Sequence, residues 1–272
     1  MKKKVGRRRW VMVAFVGLGA LGLLGAWVAA GLPSRSEVRA LATTRPGKTA
    51  VMRQREREAE RKGEPARRSQ TWVPLSRVSR HLLHAVLASE DQRFFGHGGL
   101  DWTALRESVE DNVKRRRLWR GGSTLTQQLA KNLFFGTSRT PARKARELVV
   151  TSWLEEDLTK FRILTLYLNL IEWGDGVYGC EAAARHWYDK SAASLTPAEA
   201  AGLAAMIPNP RRINPRKNPR WFERARGRVL ALMEQSRYLE RDLVGLGADP
   251  PSPTPIEPAE PVPETPGPAI PR

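Results

Sequence analysis

Cysteine is all but missing from this 272-residue chain. The single thiol, Cys180, cannot close an intrachain disulfide, and no second Cys or His pair stands near it at metal-ligand spacing, so it reads as a small packing residue. Acidic side chains are few: 28 Asp and Glu face 46 Lys and Arg, which leaves a formal charge of +18. That imbalance leaves three anionic partners open: nucleic acid, a membrane surface, or an anionic substrate. Alternating runs of strand type are scarce and no internal repeat is visible, so the expected fold is mainly α-helical and built on one domain. The Gly-x4-Gly-Lys spacing of a nucleotide-binding Walker loop is absent too. With 41 % of residues hydrophobic, the chain can still bury a substantial core.

The N-terminus narrows the charge question. Lys2, Lys3, Lys4, Arg7, Arg8 and Arg9 precede an uncharged run from Trp10 to Leu32. As a helix that run spans roughly 34 Å, against a hydrocarbon core of about 30 Å. A cleaved signal peptide is the competing reading, because Ala29 and Ala30 lie near the end, but its apolar region would normally be only about 7–15 residues. An uncleaved anchor fits better. The basic segment 1–9 then stays in the cytoplasm and everything after Leu32 lies outside the membrane, which disfavours a nucleic-acid partner. Residues 33–70 read as a charged connector, a flexible spacer in which 53–62 also suits a short solvated helix resting on anionic head groups. From 71 to 247 the pattern is globular, and 248–272 is proline-dense and reads as a disordered tail.

Within the globular part, Leu75, Val78, Leu82, Val86 and Ser89 recur at helical spacing. Thr140-Pro141 predicts an N-cap followed by Pro at the first helical position, and Thr196-Pro197-Ala198-Glu199 adds a capping box to that signal. Residues 160–171 place Ile163, Leu164, Tyr167, Leu168 and Ile171 on one face, and 221–246 reads as a last helix. Four segments carry chemistry. In the first, Glu90 and Asp91 follow an apolar helix and precede Phe94, His97, Gly99 and Asp101; a carboxylate at a helix C-terminus gains proton affinity, which suits a general base. In the second, Gly121-Gly122-Ser123-Thr124 runs into a helical pattern bearing Gln127, Gln128, Lys131 and Asn132, and a helix start of this kind suits phosphate. In the third, Arg143, Lys144 and Glu147 share a helix face, where two cations and a carboxylate can hold a diphosphate. The fourth, from Lys160 through Asn169 to Glu181, reads mostly as a core helix and a glycine-rich turn. Taken singly, each has an ordinary explanation: a surface turn, a helix cap, a solvated ion pair, core packing.

Together the segments resemble the peptidoglycan glycosyltransferase family (glycosyltransferase family 51), found in class A penicillin-binding proteins and as a stand-alone form. The likeness runs from about Trp72 to Pro219. It rests on Glu90, Asp91, Phe94, His97, Gly99 and Asp101; on Gly121 through Asn132; on Arg143, Lys144 and Glu147; on Lys160, Tyr167, Leu168 and Asn169; and on Glu199 to Ala204 with Pro208-Asn209-Pro210. Glu172-Trp173-Gly174-Asp175-Gly176 is similar to the stand-alone, monofunctional enzymes, and no Ser-x-x-Lys, Ser-x-Asn and Lys-Thr-Gly set follows, so no transpeptidase is expected. Thr165 departs from the Glu usual in the family, which puts that position's role in doubt. His186-Trp187-Tyr188-Asp189 replaces a more usual Tyr-Phe-Gly stretch, an expected packing change.

The resemblance implies a lysozyme-like fold behind a single transmembrane helix, in the bacterial inner membrane, with the catalytic domain in the periplasm. It implies that lipid II is polymerised into β-1,4-linked glycan with loss of polyprenyl diphosphate. Glu90 would be the base and Glu147 the second catalytic acid. Arg143, Lys144, Lys131, Gln127 and Gln128 would hold the diphosphate or sugar, as would Ser123, Thr124 and Asn132. Asp91, Phe94, His97, Lys160 and Asn169 are expected as further substrate contacts. Mg²⁺ or another divalent cation near Glu147 is the cofactor expectation, with no dedicated metal site and no organic cofactor. Expected partners are lipid II, the growing glycan, membrane lipids and divisome or elongation proteins. A lytic muramidase and a non-catalytic cell-wall scaffold remain the rival readings.

Overall fold

The computed structural model describes residues 25–103 and 122–236, with positions 15, 19, 22, 23, 105–107 and 110. Helices dominate these residues: α1 (Arg35–Ala40), α2 (Ala50–Glu60), α3 (Arg80–Glu90), α4 (Leu125–Ala130), α5 (Pro141–Asp157), α6 (Lys160–Leu170), α7 (Cys180–Tyr188), α8 (Pro197–Met206) and α9 (Pro219–Gln235). Segments 1–9 and 248–272 lie outside the described residues, as does most of the apolar run 10–32. Among the described residues no helix is long and apolar enough to cross a membrane.

Local signals place most helix starts. Ser79, Thr124, Thr140, Thr159 and Thr196 each cap a helix, their hydroxyls accepting from the backbone N–H three residues on. Pro141 and Pro197 occupy first helical positions, and the capping box at Thr196 and Glu199 forms. The expected continuous helix from Leu75 to Ser89 is instead broken. Leu75–Arg77 forms a separate 3₁₀ turn, and α3 begins only after the Ser79 cap.

The core surrounds α6, whose residues from Ile163 to Leu170 are all buried. A helix apolar on every side belongs at the centre of a domain. Helix α8 is buried nearly all round, and α9 lays Phe222, Ala225, Val229 and Met233 against α8 and α3. Each fully buried Leu in this cluster contributes roughly 2 kcal/mol of transfer free energy. Truncation of Leu164 to Ala would cost about 2–5 kcal/mol. Cys180 is buried here, where removal from water raises its thiol to about 12 and leaves it inert.

A small sheet closes one side. Strands β1 (Ser69–Gln70), β2 (Glu172–Gly174) and β3 (Val177–Tyr178) lie in the order β1-β3-β2, with β1 parallel and β2 antiparallel to β3. Gly176 takes φ +73° in the turn and abuts Arg67, so a side chain there would meet both strain and the Arg67 backbone.

The stretch 33–70, expected as a spacer, is docked onto the domain. Val38, Leu41, Val51 and Met52 are buried, and α1 packs on α5. Arg35 and Arg39 pair with Asp157. On α2, Arg55 donates twice to Glu172 at 3.1 and 2.9 Å, and Gln54 bonds Thr137 through both its amide and its carbonyl. The mixed charge of this stretch answers charges on the domain, not only solvent.

Candidate active site

The end of α3 and the faces of α4 and α5 enclose an open cleft of about 640 Å³. Glu90 is the last residue of α3 and half-buried at one side of the cleft. Burial raises its carboxyl to about 7, against an ordinary value of 4.5, with Asp91 adding to the rise; a hydrogen bond from Gln128 and the charge of Lys131 work against it. Burial is the main cause, not the helix dipole the sequence suggested. Gln128 Nε2 donates to Glu90 Oε2 at 2.8 Å, and Tyr167 donates its hydroxyl to Gln128 Oε1 at 3.1 Å.

Across the cleft stands Glu147, buried on α5 and paired with two cations one turn earlier on the helix. Arg143 bonds its Oε2, and Lys144 Nζ donates to its Oε1 at 2.6 Å. Lys144 also reaches Gln127 Oε1 at 2.9 Å and Ser123 Oγ at 3.3 Å. Lys131 lines the same cleft and, among the described residues, has no hydrogen-bonding or ion-pairing partner; burial lowers its pKa below the usual lysine range. Arg139, just before α5, brings a fourth cation. Four basic groups against two acids make this wall attractive to an anion. Thr137 and Arg139 line the cleft although nothing in the sequence marked them, and Ser89 and Pro208, read there only as a helix position and a motif element, join them. A smaller recess of about 130 Å³ lies beyond Gln128, bordered by Asn132, Tyr167, Glu172 and Arg55.

Other expected contacts turn away from the cleft. Asp91 is buried and holds His97 Nε2 at 2.9 Å and the Leu125 N–H at 3.0 Å. The Gly99 N–H donates to His97 Nδ1, so the ring proton sits on Nε2 and points at Asp91. Two N–H groups at the start of α4, those of Leu125 and Gln127, are thus taken by Asp91 and by Thr124 Oγ1. Thr124 Oγ1 donates to the Gly99 carbonyl, and Gln127 is buried against Lys144. Phe94 is packed in the core with the Lys160 ammonium 4.5 Å from its ring centroid. Lys160 also bonds the His97 carbonyl and Glu155. Asn169 clamps the backbone of Val73 at both N–H and C=O and bonds the Thr165 carbonyl. Asn132 donates to the Gln128 carbonyl at 2.8 Å. These residues build the walls; Glu90, Glu147, Ser123, Gln128, Lys131, Arg143 and Lys144 face the space between them. Thr165 bonds the Phe161 carbonyl within its own helix. Trp187 donates its indole N–H to the Trp173 carbonyl, which makes that variant stretch part of the packing.

A proton acceptor with an affinity near neutrality faces a cationic wall across an open cleft. That arrangement suits activation of a hydroxyl and stabilisation of an anionic leaving group. The chain belongs to the transglycosylase family, whose profile matches residues 56–234. It is 47 % identical over 195 residues to a biosynthetic peptidoglycan transglycosylase of Methylobacillus flagellatus, covering 72 % of this chain and 84 % of that protein. A protein of the same description from Dechloromonas aromatica is 43 % identical over 225 residues, covering 83 % of this chain and 95 % of its own length. One from Herminiimonas arsenicoxydans is 49 % identical over 166 residues, covering 61 % and 72 %.

Proposed function

We propose that this chain is a peptidoglycan glycosyltransferase that joins lipid II units into glycan strands at the outer face of the bacterial inner membrane. The observation that carries the reading is the pairing of Glu90, held near pH 7, with the Arg143–Lys144–Glu147 cluster across one cleft. Glu90 takes the proton as the acceptor sugar's 4-hydroxyl attacks the anomeric carbon of the donor strand. The departing diphosphate gains charge as its bond breaks, and Arg143, Lys144 and Lys131 offset that charge. A hydrolase acting on plain glycan has no need of such a cationic wall, which favours transfer from a diphosphate donor over a lytic reaction.

Both oxygens of Glu147 are taken by Arg143 and Lys144, and Lys131 and Arg139 line the same space. A divalent ion placed beside Glu147 would meet four cations and no free carboxylate oxygen, so the donor set does not fit one and no step is routed through a metal. Asp91, His97 and Asp101 also lie close together. Asp91 and His97 are spent on each other and Asp101 on Arg93, which makes that group a structural brace.

The run 10–32 is read as a single membrane anchor with the basic N-terminus in the cytoplasm and the domain in the periplasm. Arg146 on α5 supports this. It donates to the Trp27 and Val28 carbonyls at 2.6 and 3.0 Å and lies over the Trp27 ring, docking the end of that run on the helix that bears the cation wall. The test is incubation of detergent-solubilised protein with labelled lipid II, with products sized before and after muramidase. Polymer that disappears on digestion supports the reading. Shortening of pre-made strands without polymerisation would replace it with the lytic muramidase, and neither activity would leave a scaffold.

A further inference from the structure

Tyr167 is wholly buried on α6, and its hydroxyl has one hydrogen-bond partner among the described residues, the Gln128 side-chain carbonyl at 3.1 Å. Gln128 turns its NH₂ group to Glu90 at 2.8 Å. Its own backbone carbonyl is tied by Asn132 at 2.8 Å, so the side chain is fastened at its base while the amide could still rotate by half a turn. Resting on the functional reading above, we infer that Tyr167 is a positioning residue: its hydroxyl proton locks the Gln128 amide in the orientation that presents N–H, and not C=O, to Glu90.

The physical case is one of donors and acceptors. A carboxylate only accepts hydrogen bonds, whereas a protonated carboxyl also donates. With its NH₂ toward Glu90, Gln128 stabilises the ionised base. With the amide turned over, its carbonyl oxygen would face Glu90 and reward the protonated, inactive form. Without a lock, both orientations would populate and follow the proton. The Tyr167 hydroxyl breaks that symmetry, because its buried proton has an acceptor only while Oε1 faces it. Burial, reinforced by the nearby charges of Glu90 and Asp91, holds the Tyr167 hydroxyl well above the ordinary phenol range, so it remains a donor throughout the working pH range. The other charged groups facing Glu90 and Gln128 are Asp91 next in sequence, Lys131 beyond α4, and Arg143, Lys144 and Glu147 on α5. Arg139 precedes α5, and Arg55, Glu172 and Arg211 border the recess behind Gln128. None of these is altered by removal of one phenolic oxygen.

Tyr167→Phe keeps the ring and deletes the lock. The experiment is the pH dependence of kcat/KM for lipid II polymerisation by the full-length protein, wild type against Tyr167→Phe, Gln128→Met and the double variant. Loss of the lock should move the acidic limb of the Tyr167→Phe profile upward by about one pH unit. Activity at pH 6 would then fall about tenfold while activity at pH 9 stays within about twofold, because a limb one unit higher matters only below the base's pKa. Gln128→Met, which removes the donor itself, should move the limb in the same direction. In that background Tyr167→Phe should add nothing, since the tyrosine acts only through the amide. A merely structural tyrosine would instead lower activity equally at every pH, or lower the melting temperature without moving the limb. A Tyr167→Phe limb that coincides with wild type overturns the inference, as does an additive double variant. If Tyr167→Phe fails to fold, an unmoved limb in Gln128→Met overturns it alone. A wild-type protein that makes no polymer would instead strike at the functional reading.

Discussion

Replacement of Glu90 by Gln should cut polymerisation by orders of magnitude and stabilise the fold, with the stabilisation negligible near about pH 4.5, growing as pH rises and complete above neutrality. The folded-state carboxyl sits near 7 against 4.5 as its ordinary value. A group with a raised folded pKa binds extra protons in the native state between those two values, so native stability falls as pH rises through that window. The gap is equivalent to roughly 3 kcal/mol when fully developed. The side chain borders an open cleft, so screening by water brings the expected gain nearer to about 1–2 kcal/mol. For a domain of this size that is about 3–6 °C in melting temperature. Gln lacks the titration, yet its carbonyl can still accept from the Gln128 amide. Thermal unfolding at pH 4.5 and pH 8 checks this: the two proteins should melt together at the lower value and separate at the higher, with the variant above. Turnover should fall by about 10²–10⁴. Equal melting differences at both pH values, or a variant that melts below wild type at pH 8, would refute the claim that burial strains this carboxylate. Substantial turnover would refute its role as the base.

Three further outcomes are expected. Lys131 carries a lowered pKa and must be protonated to attract an anion, so kcat/KM should fall again at alkaline pH, below the ordinary lysine range; Lys131→Arg should remove that alkaline limb while leaving the acidic one. Asn169→Ala strips partners from the Val73 N–H and C=O and should cost about 2–4 kcal/mol in denaturant unfolding, with turnover per folded molecule little changed. Glu147→Gln replaces one of the two oxygens that hold Arg143 and Lys144 by an NH₂ group, which cannot accept from either cation, and should lower kcat without raising KM, because the wall loses order and not positive charge; a raised KM with kcat intact would point to a substrate contact instead.

How far these elements could be read beforehand depended on the range of the interactions behind them. Thr140, Thr159 and Thr196 cap their helices through contacts three residues away, and Thr140 and Thr196 were legible because Pro and Glu at fixed offsets accompany them. Glu90, Arg143 and Glu147 each had an ordinary explanation as a surface turn or a solvated ion pair, and stood out only because several such motifs follow one another in one chain. The partners of Asp91 and His97 were not legible: Asp91 follows Glu90 directly, but its carboxylate accepts from the Leu125 N–H at the start of α4 and meets the His97 ring. The docking of α2 was hidden because Arg55 and Glu172 lie 117 positions apart, and neither has a local pattern that names the other. The five-residue π-helical turn at Lys131–Phe135, which carries Lys131 to the cleft, has no local signature either.

Helix α5 does two jobs within one turn of its length. Arg146 grips the end of the apolar N-terminal run, while Arg143 and Glu147, three residues before and one after, belong to the cleft. A turn rises only about 5.4 Å, so if the run is the proposed anchor, the proposed diphosphate seat lies close to the level at which the chain would leave the bilayer. In a lipid-linked sugar the diphosphate also lies at the boundary between tail and headgroup. On the proposed reading of that run as a membrane anchor, the helix would act as a depth gauge, meeting the substrate's phosphates near the height at which they lie in the leaflet.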